Sequence, residues 1–172
     1  MNRRIKVLAA LTIFLGLLSV QELKGESSMK LTSPEFEYNK SIPEKFTCEG
    51  DDINPALMIE NIPAAAKSLA LIMDDPDATK GMWVHWVVYD IPLLPRIEEQ
   101  SVPGKEGLND FGRKRYGGPC PFSGTHRYFF KLYALDVMLD SKEGLTKQAL
   151  EKAIEGHILE KAELIGLYKK RK

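Results

Sequence analysis

The chain has 172 residues, enough for one domain with a sizeable core, and its 44% hydrophobic and 28% charged content excludes wholesale disorder. Lys plus Arg and Asp plus Glu both number 24, so the charge balance excludes an electrostatic case for nucleic acid as a partner.

Arg3, Arg4 and Lys6 precede an apolar run from Val7 to Val20, and the polar stretch QELKGESS follows. Basic flank, short apolar core and polar exit are the parts of a secretory signal. The 14 residues of the run span ~21 Å as a helix, short of a ~30 Å hydrocarbon core. The expectation is a signal over residues 1–25 and an exported domain, periplasmic or extracellular, over 29–172; an uncleaved anchor is the alternative. Without four basic and one acidic residue of that segment, 20 basic and 23 acidic side chains remain, a formal charge of −3. That balance argues against a polybasic membrane-binding surface.

Cys48 and Cys120 are the two cysteines, both in Gly/Pro-rich surroundings. In an exported protein they can form one disulfide, while two buried thiols remain open as the other reading. A zinc site would need further ligands close by. Short apolar runs at Ser68–Met73, Trp83–Asp90 and His126–Leu135 read as strands, and LALIM (69–73), apolar without alternation, fits a strand covered on both faces. Pro and Gly punctuate the segments between, as in a mainly β chain.

One helix is expected near the C-terminus. Thr146 is a good N-cap, Leu145 and Leu150 stand at the staple positions, and Leu150, Ala153, Ile154, Ile158, Ala162 and Ile165 follow helical spacing. Gly156 interrupts this stripe and bends or splits the helix. Between Ile91 and Thr125 lie five prolines and six glycines with little periodicity, a length more typical of a functional loop than of a simple connection.

Candidate chemistry gathers at strand ends. Asp74, Asp75 and Asp77 close one apolar run, His85 opens the next, and His126 and Tyr128 emerge on one face of a third. If these strands lie together, Asp75, His85, His126 and Tyr128 converge on one end of a sheet. Two imidazoles, a phenol and Gly-rich backbone N–H groups make a donor-rich concavity suited to a small anion, with Asp75 fixing a histidine tautomer. Asp75 and His85 read as the working pair, and Asp74 and Asp77 as turn or rim residues. The same groups could form a two-histidine, one-carboxylate metal triad serving a hydrolase. Ser123 and Cys120 are the other nucleophile candidates, though neither sits in a recognisable nucleophile context. His157 reads as structural.

"DPDAT" (75–79), "WVHW" (83–86) and "GGPCPFSGTHRY" (117–128) resemble signatures of the phosphatidylethanolamine-binding proteins, and "FTCEGDDINPAL", "NDFGRKRYGGP" and "GHILEKAELIGLYKK" extend the likeness along the chain. They are similar to the bacterial and archaeal branch often called Raf-kinase-inhibitor-like. The resemblance implies a Greek-key β-sandwich with one or two short helices and a small anion pocket, without catalysis, cofactor or metal. Carried over by position, the pocket comprises Asp75, His85, Gly118, Pro119, His126 and Tyr128, with Pro76 and Asp77 shaping a turn. Its implied ligands are phosphate, a carboxylate or a phosphoethanolamine head group. A role as inhibitor or modulator of a protein partner is also implied, and a homodimer is left open. Thr79 and Phe122 depart from prolines, and Ile59 from a tryptophan, at the matching positions.

Overall fold

The computed structural model describes residues 28–171; the expected signal over residues 1–25 therefore lies outside the described residues. In chain order the elements are β1 (Lys30–Thr32), β2 (Lys40–Ser41), a 3-10 turn (Glu44–Phe46), β3 (Leu57–Glu60), β4 (Ser68–Asp75), β5 (Trp83–Ile91), β6 (Arg96–Ile97), β7 (Lys105–Glu106), β8 (His126–Leu135), α1 (Lys147–Ala153) and β9 (Ile158–Tyr168). The protein is mainly β with two sheets: β1-β3-β6, and a larger one in the order β2-β9-β8-β4-β5-β7. None of the described helices is long and apolar enough to cross a membrane.

β4 is the centre of the larger sheet. It pairs antiparallel with β5 on one side and β8 on the other, and all eight of its residues are buried. Its odd positions Leu69, Leu71 and Met73 join Leu31, Leu57, Ile59 and Ile97 of the smaller sheet in one apolar cluster. Its even positions Ala70 and Ile72 pack with Val87, Tyr89 and Tyr133 under Leu150 and Ile154 of the α1 segment. An unalternating apolar strand is the sequence form of such two-sided cover. Asp74 continues the even face, against expectation for a turn residue: it is fully buried and accepts from Lys131 Nζ at 2.8 Å and Lys147 Nζ at 2.6 Å.

The helix begins as expected and ends much sooner. Thr146 Oγ1 accepts from the Ala149 N–H at 3.2 Å, but α1 stops at Ala153 and Gly156 follows with φ +81°. That left-handed conformation is open to glycine without strain and lets the chain leave the helix. Ile158, Ala162 and Ile165 belong instead to β9, which pairs along β8 from Ile158↔Leu135 to Tyr168↔His126. Their helical spacing was fortuitous. Inward and outward positions do alternate in β9, but one inward-leaning position is Glu160, whose carboxylate takes the Met29 N–H at 2.6 Å. A charged residue there hides the period of two.

The segment 91–125 is not structureless. β6 pairs with β3 and β7 with β5, so its first half fastens both sheets before the chain reaches the site.

Candidate functional site

At the end of the larger sheet where β4 finishes and β8 begins, a cleft of about 250 Å³ opens. Asp75, His85, His126 and Tyr128 all line it, with Trp83, Phe111, Cys120 and Phe122 among the walls. β5 and β8 are not neighbours; β4 lies between them and carries Asp75 to the point where both histidines arrive.

His85 reaches the cleft through a break in strand regularity. Met73 faces Trp86 and Asp74 faces Val84, so β5 uses two steps where β4 uses one and His85 is the extra residue. Such a bulge re-aims side chains. Here Val84 joins the cluster under α1 while Trp86 joins the cluster between the sheets, and His85 turns toward Tyr128 and Phe111. His85 Nδ1 lies 2.7 Å from the Gly117 carbonyl, which can only accept, so Nδ1 carries the proton. Burial pushes the His85 pKa down from its ordinary value, against the pull of the Gly117 carbonyl and the Asp75 charge. The ring is thus neutral and leaves Nε2 as an acceptor.

The carboxylate that reads from the sequence as the partner of His85 serves His126 instead. Asp75 Oδ2 accepts from His126 Nδ1 at 2.7 Å, both side chains being almost fully buried. His126 Nε2 faces the Ser123 carbonyl at 3.1 Å. Both ring nitrogens therefore point at acceptors, an arrangement that is fully satisfied only by an imidazolium. Asp75 Oδ1 accepts the Asp77 N–H at 2.7 Å, a local turn bond that holds the carboxylate without a proline at position 79. Asp77 in turn grips Arg127, receiving its Nε at 2.9 Å, its Nη2 at 2.7 Å and its backbone N–H at 3.0 Å. The Arg127 hydrogen bonds hold the Asp77 carboxyl down at about 2. Pro76 and Asp77 thus shape the turn, and Asp77 lies on the rim rather than in the ligand space.

Tyr128 alternates inward with His126 along β8 and is completely buried; among the described residues its O–H has no acceptor, while the Cys120 backbone N–H lies toward its oxygen. Desolvation raises its pKa far above the ordinary value, so it remains a proton donor across the physiological range. A buried hydroxyl without a partner costs about 1–3 kcal/mol, and the Tyr128 side chain forms part of the cleft wall.

Gly118 and Pro119 do not offer their backbone to the cleft as the resemblance implied. The Gly118 N–H is given to Asp52 Oδ1 at 2.6 Å, and a Cβ there would meet the Phe46 carbonyl oxygen at 2.6 Å. Its lack of a side chain serves close contact with the 3-10 turn. The Pro119 carbonyl accepts from the Cys48 N–H at 3.1 Å, and beside it Cys48 and Cys120 form a disulfide with Cα atoms 5.4 Å apart. These contacts brace the wall that carries Cys120.

Three positions escaped the sequence reading. Asn109 is buried and organises the loop before the cleft: its amide donates to the His85 and Arg115 carbonyls, and its oxygen accepts from Phe111 and Arg113. Asn followed by Asp-Phe-Gly was a turn signal, but its distant partner His85 left no local trace. Lys80 and Phe111 line the cleft without having been singled out. The two-histidine, one-aspartate triad does not assemble, because His85 turns its Nδ1 to Gly117 while Asp75 closes on His126. Among the described residues no cluster of three His, Cys, Asp or Glu forms a metal-holding group. Cys120 is tied in the disulfide, and Ser123 meets His126 through its carbonyl. His157 is a half-exposed partner of Asp136, Nδ1 to Oδ1 2.8 Å, far along β8 from the cleft.

A family model described as phosphatidylethanolamine-binding protein matches residues 32–169. A UPF0098 protein of Methanothermobacter thermautotrophicus is 46% identical over 150 residues, covering 83% of this chain and 99% of its own length. Another, of Pyrococcus horikoshii, is 42% identical over 183 residues, covering 99% of this chain and 91% of its own. The crystal structure of a phosphatidylethanolamine-binding protein homologue from Chlamydia trachomatis superposes with a TM-score of 0.81 at 42% identity, over 84% of this chain and 99% of that one. Escherichia coli YbcL, a member of the mammalian family, gives 0.77 at 26% identity, over 84% of this chain and all of its own. Fold and sequence agree: the chain belongs to the phosphatidylethanolamine-binding protein family.

Proposed function

We propose that this is an exported binding protein whose cleft holds a small oxyanion, such as phosphate or the phosphorylated head of a larger molecule, and performs no chemistry on it. The observation that carries this reading is the buried Tyr128 hydroxyl, whose O–H has no acceptor among the described residues, in the cleft wall beside His85 and the His126–Asp75 pair. An anion oxygen supplies the missing acceptor. His126 pairs with Asp75, and Lys80 at the rim adds a positive charge. The walls are largely aromatic and apolar, which strengthens each polar contact inside.

Export is supported by the Cys48–Cys120 disulfide, a bond that persists in oxidising compartments. The family's Greek-key sandwich is the arrangement in which we read the two sheets. A modulated protein partner would meet the 91–125 segment, where Leu93, Leu94, Val102 and Phe111 are exposed and lead to Phe122, 92% exposed at the cleft mouth.

Calorimetric titration with inorganic phosphate and with phosphoethanolamine tests the reading. One site per chain is expected, and His126→Ala, which leaves Asp75 as an unbalanced carboxylate in the cleft, should abolish binding in protein that still melts cooperatively. Failure of the wild type to bind either compound, or unchanged affinity in the variant, would overturn it.

A further inference from the structure

Cys48 and Cys120 are both exposed, and the bond between them joins two segments that are held very differently. The Cys48 side is fixed without the disulfide. Buried Thr47 gives its N–H and its hydroxyl to the Glu44 carbonyl at 3.0 and 2.8 Å, and its own oxygens take the Gly50 N–H at 3.0 Å and the Glu49 N–H at 3.2 Å. The Glu49 carboxylate takes the Tyr168 hydroxyl and the Arg171 N–H, which ties the same turn to the end of β9. The Cys120 side has no such support. Among the described residues, the backbone from Pro121 to Thr125 makes one hydrogen bond, the Ser123 carbonyl accepting from His126 at 3.1 Å. Residues 122–125 are exposed, Phe122 to 92%. Before them the chain meets the Cys48 turn through the disulfide, through the Cys48 N–H on the Pro119 carbonyl at 3.1 Å and through the Gly118 N–H on Asp52 at 2.6 Å. A segment with so few bonds opens locally at little cost unless a covalent tie prevents it.

We propose that the Cys48–Cys120 bond is a redox latch. Oxidised, it holds residues 119–125 against the Cys48 turn; reduced, it lets that segment swing away as a local event with the fold intact. Cys120, Pro121 and Phe122 line the cleft, so the movement opens one of its walls. Exposed disulfides are the ones that exchange readily with thiols. The reductant is a dithiol. One of its thiolates attacks a cysteine sulfur, the S–S bond breaks, and the other cysteine leaves as a thiolate that takes a proton from water. The second thiol of the reductant then displaces the first. The protein gains two thiols, and the dithiol, having given up two electrons and two protons, becomes a disulfide. The turn around Cys48 keeps its own hydrogen bonds, so the displacement falls on 119–125. In an oxidising compartment the latch stays closed until such a dithiol reaches it. Its action does not depend on what the cleft holds.

Limited proteolysis with chymotrypsin tests the latch, because Phe122 offers an aromatic cleavage position and a protease needs a detached, extended segment to cut there. Millimolar dithiothreitol, without denaturant and well below Tm, should release both cysteines as thiols. The reduced wild type is then capped with iodoacetamide and freed of reagents before the protease is added. Cleavage after Phe122 should run at least ~10-fold faster than in the oxidised protein. The double variant Cys48→Ser, Cys120→Ser should be cut at the reduced rate without any dithiol; the wild-type comparison stands whether or not that variant folds. Oxidised Asp74→Ala separates release of the loop from unfolding of the chain, because it removes a buried ion-pair partner and keeps the disulfide; it should be cut at the oxidised rate. A bond that survives the dithiol without denaturant would overturn the latch. So would reduced protein cut no faster than oxidised, or oxidised Asp74→Ala cut as fast as reduced wild type.

Discussion

Tyr128→Phe removes one oxygen and should move stability and binding in opposite directions. The hydroxyl is buried with no acceptor among the described residues. Deleting it relieves part of a desolvation penalty of about 1–3 kcal/mol, and a net gain near 1 kcal/mol is expected. For a chain of this size that corresponds to a Tm about 2–4 °C higher. With phosphate bound, the same oxygen donates to a charged acceptor, a bond of about 1.5–3 kcal/mol, so the variant should bind phosphate roughly ten- to hundredfold more weakly. Scanning calorimetry in phosphate-free buffer measures the first effect and titration calorimetry the second. Added phosphate should raise the wild-type Tm by ligand linkage and the variant's far less. A variant that melts lower and binds phosphate normally would show the hydroxyl to be a packing group and refute the reasoning.

Further outcomes follow from the charges and bonds around the cleft. Asp77 titrates at about 2 in the folded protein against an ordinary 3.8, so its bonds to Arg127 stabilise the fold fully above pH ~4 and are lost as pH falls toward 2. The Tm difference between wild type and Asp77→Asn should therefore shrink on acidification; it should also be modest, because the two side chains are 29% and 52% exposed, and a difference that held constant to pH 2 would contradict the assignment. Asp74→Ala leaves Lys131 and Lys147 without their buried partner and should cost about 3 kcal/mol in urea unfolding while phosphate affinity stays unchanged; a loss below ~1 kcal/mol would mean the lysines find other solutions. Reducing the Cys48–Cys120 bond, which closes a loop with a sequence separation of 72, removes roughly 4 kcal/mol of chain-entropy stabilisation and should lower Tm by about 10 °C. Reduced and oxidised protein melting together would refute that contribution.

How much of this was legible in the sequence follows from the range of each interaction. The unalternating LALIM run announced a strand covered on both faces, and β4 is that strand. The polar groups at strand ends marked the end of the sheet where the cleft opens, because strand direction and alternation are local properties. The pairing within the cleft was not legible. Which histidine meets Asp75 depends on β4 lying between β5 and β8 and on a bulge at His85, both outcomes of sheet pairing. Gly118 read as an open backbone for a ligand, whereas its contact is with Phe46, more than 70 residues earlier. At the C-terminal end, Glu160 at an inward position disguised a strand as the continuation of a helix.

The central claim is that an oxyanion seats in the cleft lined by Asp75, His85, His126 and Tyr128. A crystal grown without phosphate or sulfate and then soaked in phosphate tests it most directly. The account predicts tetrahedral density in the cleft within hydrogen-bonding distance of Tyr128, with the Asp75–His126 and Ser123–His126 contacts retained. A cleft left empty at saturating phosphate, or phosphate held by the rim lysine and arginine away from Tyr128, would contradict it.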